Sequence, residues 1–129
     1  MVGLDREPLD AAPPDGARVV IADVFEVDAA QLLGDLCAFD VVLSDMAPDT
    51  TGVRITDQAR SEALVQRAVE LAERLLAERG NFVAKVFQGP ELPALRARVK
   101  RMFSRVDLAK PPASRRQSSE LYLVALHRK

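Results

Sequence analysis

Short apolar runs that stop at an aspartate recur in this chain, and they restrict it to few architectures. Val2-Gly-Leu4 stops at Asp5, Val19-Val-Ile-Ala22 at Asp23, and Val41-Val-Leu-Ser44 at Asp45. Runs this short suit buried strands better than helices, and Pro48 forbids the third from continuing. Asp45 is thereby expected at the carboxyl end of a strand, the edge where open parallel α/β sheets bind their ligands. The plainer role for such a residue is to close a turn or cap a helix.

The segments between the runs alternate in kind. Pro8, Pro13 and Pro14 rule out a long helix over residues 6–16 and make it a surface connection. A short helix is expected over residues 28–36, and Asp49-Thr-Thr-Gly52 has turn chemistry. Asp57 then caps a helix reaching about Ala77. Leu64, Ala68, Leu71 and Leu75 lie on one stripe, Val65, Val69, Ala72 and Leu76 lie beside it, and Gly80 is placed as its left-handed end. Residues 81–87 form the next strand. Pro93 introduces a helix with Leu95, Val99 and Met102 inward and Arg96, Arg98, Lys100 and Arg101 outward.

Two strands, residues 105–109 and 121–126, close the chain, joined by an arm over residues 110–119. Strands alternating with helices predict a parallel sheet, and the helix-free final pair predicts an antiparallel hairpin at its edge. The start of an antiparallel last strand lies where parallel strands end, so Glu120 is expected beside Asp45. Lys85 interrupts Phe82, Val83, Val86 and Phe87 near the end of a central strand, where an amine needs a partner. Asp45 on the neighbouring strand supplies one. A lone pair of this kind is ordinarily structural; three ionisable groups converging on one sheet edge read as a reaction centre.

The length fits one domain, residues 1–129. No apolar run reaches membrane-spanning length and no signal pattern opens the chain, which predicts a cytoplasmic protein with no membrane partner. Cys37 has no disulfide partner or metal-ligand companions and His127 stands alone, so no metal site is expected. Residues 1–95 carry 8 Lys/Arg against 17 Asp/Glu, whereas residues 96–129 carry 10 Lys/Arg against only Asp107 and Glu120. That division suits a polyanionic partner on one side, although basic helices also occur as plain solvated faces.

Ser44-Asp-Met-Ala-Pro48, Val83-Ala-Lys-Val-Phe-Gln-Gly89 and Lys110-Pro…Ser114-Arg…Ser118-Ser-Glu-Leu-Tyr122, in this order, resemble the FtsJ/RrmJ family of S-adenosylmethionine-dependent RNA ribose 2′-O-methyltransferases. Three separated motifs are far more specific than one Gly-rich loop. The resemblance implies a Rossmann-like α/β sheet. It implies a Lys-Asp-Lys-Glu tetrad whose Asp, second Lys and Glu fall on Asp45, Lys85 and Glu120. Asp5 and Asp23 match acids that bind the cofactor's ribose and adenine ends, with Asp45 beside the same ligand. Family members begin with a helix bearing the first lysine, then a central strand and Gly-rich loop. The sequence opens at the second strand instead, which implies a sheet short of its central strand, a truncated domain, and weak activity or self-association to complete the sheet.

Methyl transfer to a 2′-hydroxyl needs positioning and a tuned proton acceptor. Lys85 is the expected base, for which its pKa must fall: burial and a second lysine would lower it, Asp45 and Glu120 would raise it, and a Lys85 that stays charged would instead stabilise a developing alkoxide. Lys110, Arg115 and Arg116 are placed to grip RNA phosphates, with the basic helix extending the track. The resemblance implies a uridine of large-subunit ribosomal RNA as target. Two alternatives stay open: an RNA-binding remnant without catalysis, and a phosphoacceptor receiver-like domain. In the second, Asp5 and Glu7 hold Mg²⁺ and Asp45 takes the phosphoryl group, a reading that the prolines after Asp5 and a buried Lys85 oppose.

Overall fold

Strand β4 (Leu76–Phe87) organises the molecule, and its residues alternate between two unlike surroundings. In the computed structural model, which describes residues 1–48, 51–110 and 120–129, the other elements are β1 (Val2–Asp5), β2 (Arg18–Ile21), α1 (Ala29–Leu33), β3 (Phe39–Ser44), α2 (Arg54–Leu75), α3 (Leu92–Met102), β5 (Phe103–Ala109) and β6 (Glu120–Arg128). One sheet has the order β3-β4-β6-β5; β1 and β2 form a separate pair. Two pairs are parallel, with Leu43 opposite Val83 on β3 and β4, which α2 links, and Asp5 opposite Ile21 on β1 and β2, which a helix-free connection links. The C-terminal hairpin is antiparallel as expected. Its β6 lies inside the sheet, pairing with β4 as well as with β5, and β5 takes the edge.

One face of this sheet is sealed. Phe82, Ala84 and Val86 of β4 are at most 1% exposed. They pack against Val65, Ala68, Val69 and Ala72 of α2 and Leu92, Leu95 and Val99 of α3. Phe82 stacks on Phe103 with ring centroids 6.3 Å apart. A second cluster joins Leu71 and Leu75 of α2 to Val2 and Leu4 of β1, Val20 of β2 and Phe39 of β3. This cluster holds the β1–β2 pair against the helix. Arg67 reinforces it, donating from Nε to Val24 O and from Nη2 to Val27 O, each at 2.8 Å.

The opposite face differs from expectation. β3 is not a buried strand: Val41 is 50% and Leu43 73% exposed, because no described element packs over the side of the sheet to which they point. Ile21 of β2 is likewise half exposed, since that pair adds no strand to the larger sheet. Apolar runs therefore marked the strands correctly and their burial incorrectly.

Boundaries moved where local signals competed with pairing. α2 begins at Arg54, three residues before the expected cap. Asp57, inside its first turn, accepts from Thr51 N at 2.7 Å, Thr51 Oγ1 at 2.8 Å and Gly52 N at 3.2 Å. The helix ends at Leu75 because Leu76 turns extended and pairs with Phe39. The left-handed residue beyond it is Arg79, at φ 68°, rather than Gly80. Gly80 is needed for a different reason: a Cβ there would lie 2.9 Å from Ala77 O and 3.1 Å from Asp40 O. α1 spans Ala29–Leu33 with Asp28 as its N-cap, shorter than expected. Among the described residues, no helix is long and apolar enough to cross a membrane.

Candidate active site

The three residues expected to meet do meet. Lys85 Nζ lies 2.8 Å from Asp45 Oδ1 and 3.6 Å from Glu120 Oε1. Strand ends explain the convergence: β3 delivers Asp45 just past Ser44, β4 carries Lys85 on its less covered face, and antiparallel β6 starts with Glu120 opposite Phe87. The lysine is the enclosed member. Its side chain is 14% exposed, against 69% for Asp45 and 41% for Glu120. Tyr122, two residues after Glu120, pairs in register with Lys85.

The opposing influences on Lys85 resolve toward charge. The hydrogen bond to Asp45 raises its pKa above the ordinary 10.5. Desolvation works against this, and the attraction of Asp45, Glu120 and Tyr122 adds to it. At neutral pH Lys85 is an ammonium, hydrogen-bonded to Asp45 and ion-paired with Glu120. A group in this state donates hydrogen bonds and stabilises nearby negative charge but does not accept a proton, so the expectation of Lys85 as the general base is corrected: the hydrogen bond to Asp45 outweighs burial.

Asp5 and Asp23 stand next to one another at the carboxyl ends of β1 and β2, where Ala22 N donates to Asp5 O at 2.9 Å. Each carboxylate is exposed and oriented by a backbone N–H two residues ahead, Glu7 N for Asp5 at 3.2 Å and Phe25 N for Asp23 at 2.9 Å. Such Asx turns fix where the carboxylates face. Both open onto solvent as acceptors suited to hydroxyl or amino donors.

The basic residues divide. Lys110 directly follows β5, while Arg115 and Arg116 lie outside the described residues. On α3, Lys100 and Arg101 are exposed, but Arg96 and Arg98 are half-buried rather than outward, and Arg98 Nη1 donates to Gln66 Oε1 on α2 at 2.6 Å. Part of the expected basic track thus serves helix packing. Cys37 is exposed. The backbone N–H beside the His127 side chain donates to Asn81 Oδ1, which ties the end of β6 to β4.

Sequence reasoning passed over Gln58, Ser61 and Glu62 of α2 and Gln88 beyond β4. Together with Ala47, Pro48, Phe87 and Glu120 they line a cavity of about 650 Å³ next to the Lys85 cluster. Phe87 was legible as a site neighbour from the two-residue period of its strand. Gln58 carried no such signal, because only tertiary packing brings it to Gly89.

The arrangement has relatives. Residues 1–128 match the family model described as FtsJ-like methyltransferase. The chain is 44% identical over 127 residues to the ribosomal RNA large subunit methyltransferase E of Syntrophobacter fumaroxidans; the match takes in 98% of this chain and 64% of that protein, so the chain spans less than two thirds of this relative's length. Among solved structures it is similar to a ribosomal RNA methyltransferase from Plasmodium falciparum, with TM-score 0.83 at 23% identity over 99% of this chain and 71% of that one. Human methyltransferase-like protein 13, solved in complex with SAH, gives TM-score 0.60 at 18% identity over 92% of this chain and 52% of that one. These likenesses identify the fold as a Rossmann-like methyltransferase sheet, and the family match closes the receiver-like alternative. The chain belongs to the FtsJ-like methyltransferase family.

Proposed function

We propose that the chain serves the transfer of a methyl group from S-adenosylmethionine to a ribose 2′-hydroxyl of large-subunit ribosomal RNA, at a uridine. The observation that carries this reading is Lys85 Nζ held 2.8 Å from Asp45 and 3.6 Å from Glu120 at the carboxyl edge of the sheet. Family membership and the name of the Syntrophobacter relative support the substrate class. S-adenosylmethionine supplies an electrophilic methyl group when bound. The residues present fit it: Asp5 would accept from its ribose hydroxyls, Asp23 from the amino group of its adenine, and Asp45 borders the same edge.

Lys85 then acts as a fixed positive charge. Two of its N–H groups face Asp45 and Glu120, and the third is directed to the acceptor oxygen, which it positions and whose developing negative charge it stabilises. The hydroxyl proton leaves to a carboxylate of the cluster, with Glu120 the longer and weaker partner of the lysine. Lys110, Arg115 and Arg116 hold the RNA backbone as phosphate contacts, a sequence-independent grip. β3 has no strand on its side away from β4 among the described residues, and a second copy of the chain is the proposed partner for that edge.

Calorimetric titration with S-adenosylmethionine tests the reading. Saturable binding that weakens in Asp5→Ala and Asp23→Ala is the expected outcome, and equal affinity in all three proteins removes these acids from the site. Sedimentation that stays monomeric at every concentration removes self-association.

A further inference from the structure

The far end of the sheet is basic too. Opposite the end that carries the Lys85 cluster, where β4 and β5 begin and β6 finishes, Glu78, Arg79, Ser104, His127, Arg128 and Lys129 line a cavity of about 350 Å³. Arg79 precedes Lys85 on the same strand, roughly 15–20 Å away at the rise of a twisted strand. Three cationic side chains, Arg79, Arg128 and Lys129, share this concavity with one carboxylate. Neither the Arg79 guanidinium nor the Lys129 amine has a hydrogen bond or ion pair among the described residues.

The backbone presenting these groups is unusual and firmly held. Arg79 and His127 have φ of 68° and 61°, a left-handed conformation that residues with a Cβ adopt rarely. Both lie past the end of the β4–β6 ladder, which closes with Phe82 opposite Ala125, so each strand leaves the ladder through a left-handed residue. His127 N donates to Asn81 Oδ1 at 3.1 Å, Lys129 N to Met102 O at 2.9 Å, and Arg128 Nη1 to Leu76 O. Lys100 and Arg101 are exposed on the last turn of α3, next to the Met102 carbonyl that accepts from Lys129, where they also offset the negative end of the helix.

Cations gathered in one concavity without carboxylate partners repel one another unless an anion joins them. A tetrahedral oxyanion suits the donors present. A guanidinium fork matches its oxygens in pairs, an ammonium adds a point charge, and the Ser104 hydroxyl and the His127 ring donate beside them. We propose that this corner binds a backbone phosphate of the RNA, at the end of the sheet remote from the acceptor ribose. RNA, rather than an acidic protein, is the carrier because the ribose-methylation reading brings RNA to the other end of β4; the corner rests on that reading for the carrier. The substrate is then a folded RNA, since only a backbone that spans roughly 15–20 Å reaches both ends at once.

Binding of a large-subunit ribosomal RNA transcript to the chain, followed over a range of salt concentrations, tests this. Arg79→Gly suits the left-handed backbone and removes an exposed side chain. It is expected to weaken the transcript several-fold and to lower the slope of log affinity against log salt by about one, as loss of a phosphate contact does. Arg79→Lys keeps the charge and should keep the slope. Lys129→Ala should act in the direction of Arg79→Gly, and it keeps the test decisive if that variant does not fold. Unchanged affinity and slope in both Arg79→Gly and Lys129→Ala, or no binding of the transcript by the wild-type chain, overturns the proposal. If poly-glutamate loses affinity on these substitutions while the transcript keeps it, the corner docks an acidic protein and the proposal fails. Methyl transfer by a chain whose variants bind RNA unaltered removes the phosphate corner and leaves the enzyme reading intact; a lowered salt slope in a chain that transfers no methyl does the reverse.

Discussion

Successive residues of β4 lead different lives. Ala84 and Val86 are sealed beneath two helices at 0% and 1% exposure, while Lys85 between them sits on a face whose neighbour Leu43 is 73% exposed. The same backbone ladder fixes both, so the covered column can hold the fold while the other column holds charge at a defined place. A buried ammonium on the covered face would carry a severe desolvation cost. On the less covered face, with Asp45 largely in solvent, the cluster is tolerable and reachable. Stability and chemistry are thereby separated by one residue of register.

The largest test of that separation is Phe82→Ala. It removes the ring stacked on Phe103 from a position that is 0% exposed, and a loss of about 3–5 kcal/mol is expected in denaturant unfolding. A loss under about 1 kcal/mol would show that the helix-covered face is not what holds the sheet. Gly80→Ala should cost about 1–3 kcal/mol, because its Cβ would meet the carbonyls of Ala77 and Asp40 and push β3 from β4. On the other face, Leu43→Ser is expected to change stability by no more than about 0.5 kcal/mol and to increase solubility. A large destabilisation there would mean the exposed face is packed in solution.

The smallest effect concerns pH. Asp57 has a pKa below its ordinary 3.8, chiefly through hydrogen bonds from the backbone and side chain of Thr51. A carboxylate with a depressed folded pKa stabilises above its unfolded value and loses that contribution as pH falls through the folded one. The Thr51 and Gly52 amide resonances are therefore expected to hold steady down to about pH 4 and to shift below it. Asp57→Asn should abolish the transition.

Much of this was legible in advance, for identifiable reasons. Asp, Pro and Gly at the ends of apolar runs announced where the strands lie along the chain, though not that β6 sits inside the sheet, and the antiparallel last strand brought Glu120 to Lys85 by topology alone. The α2–β4 boundary was not legible. Leu76 suits a helix stripe and a strand equally, and its pairing with Phe39, distant in sequence, decided between them. Exposure of Val41 and Leu43 was hidden too, because an apolar side chain does not state whether anything covers it. The charge state of Lys85 depended on opposing terms whose balance needs a distance, 2.8 Å to Asp45, that no spacing of letters contains.

Methyl transfer from S-adenosylmethionine to large-subunit ribosomal RNA, compared between the wild-type chain and Lys85→Ala, measures most directly whether the charged column does the chemistry. Lys85→Ala should keep the fold to within about 1 kcal/mol, since its ion pairs are largely exposed at the carboxylate ends. Its rate should fall about a hundredfold or more, the usual consequence of removing a donor aimed at developing negative charge. Equal, measurable rates in the two proteins would contradict the role given to Lys85.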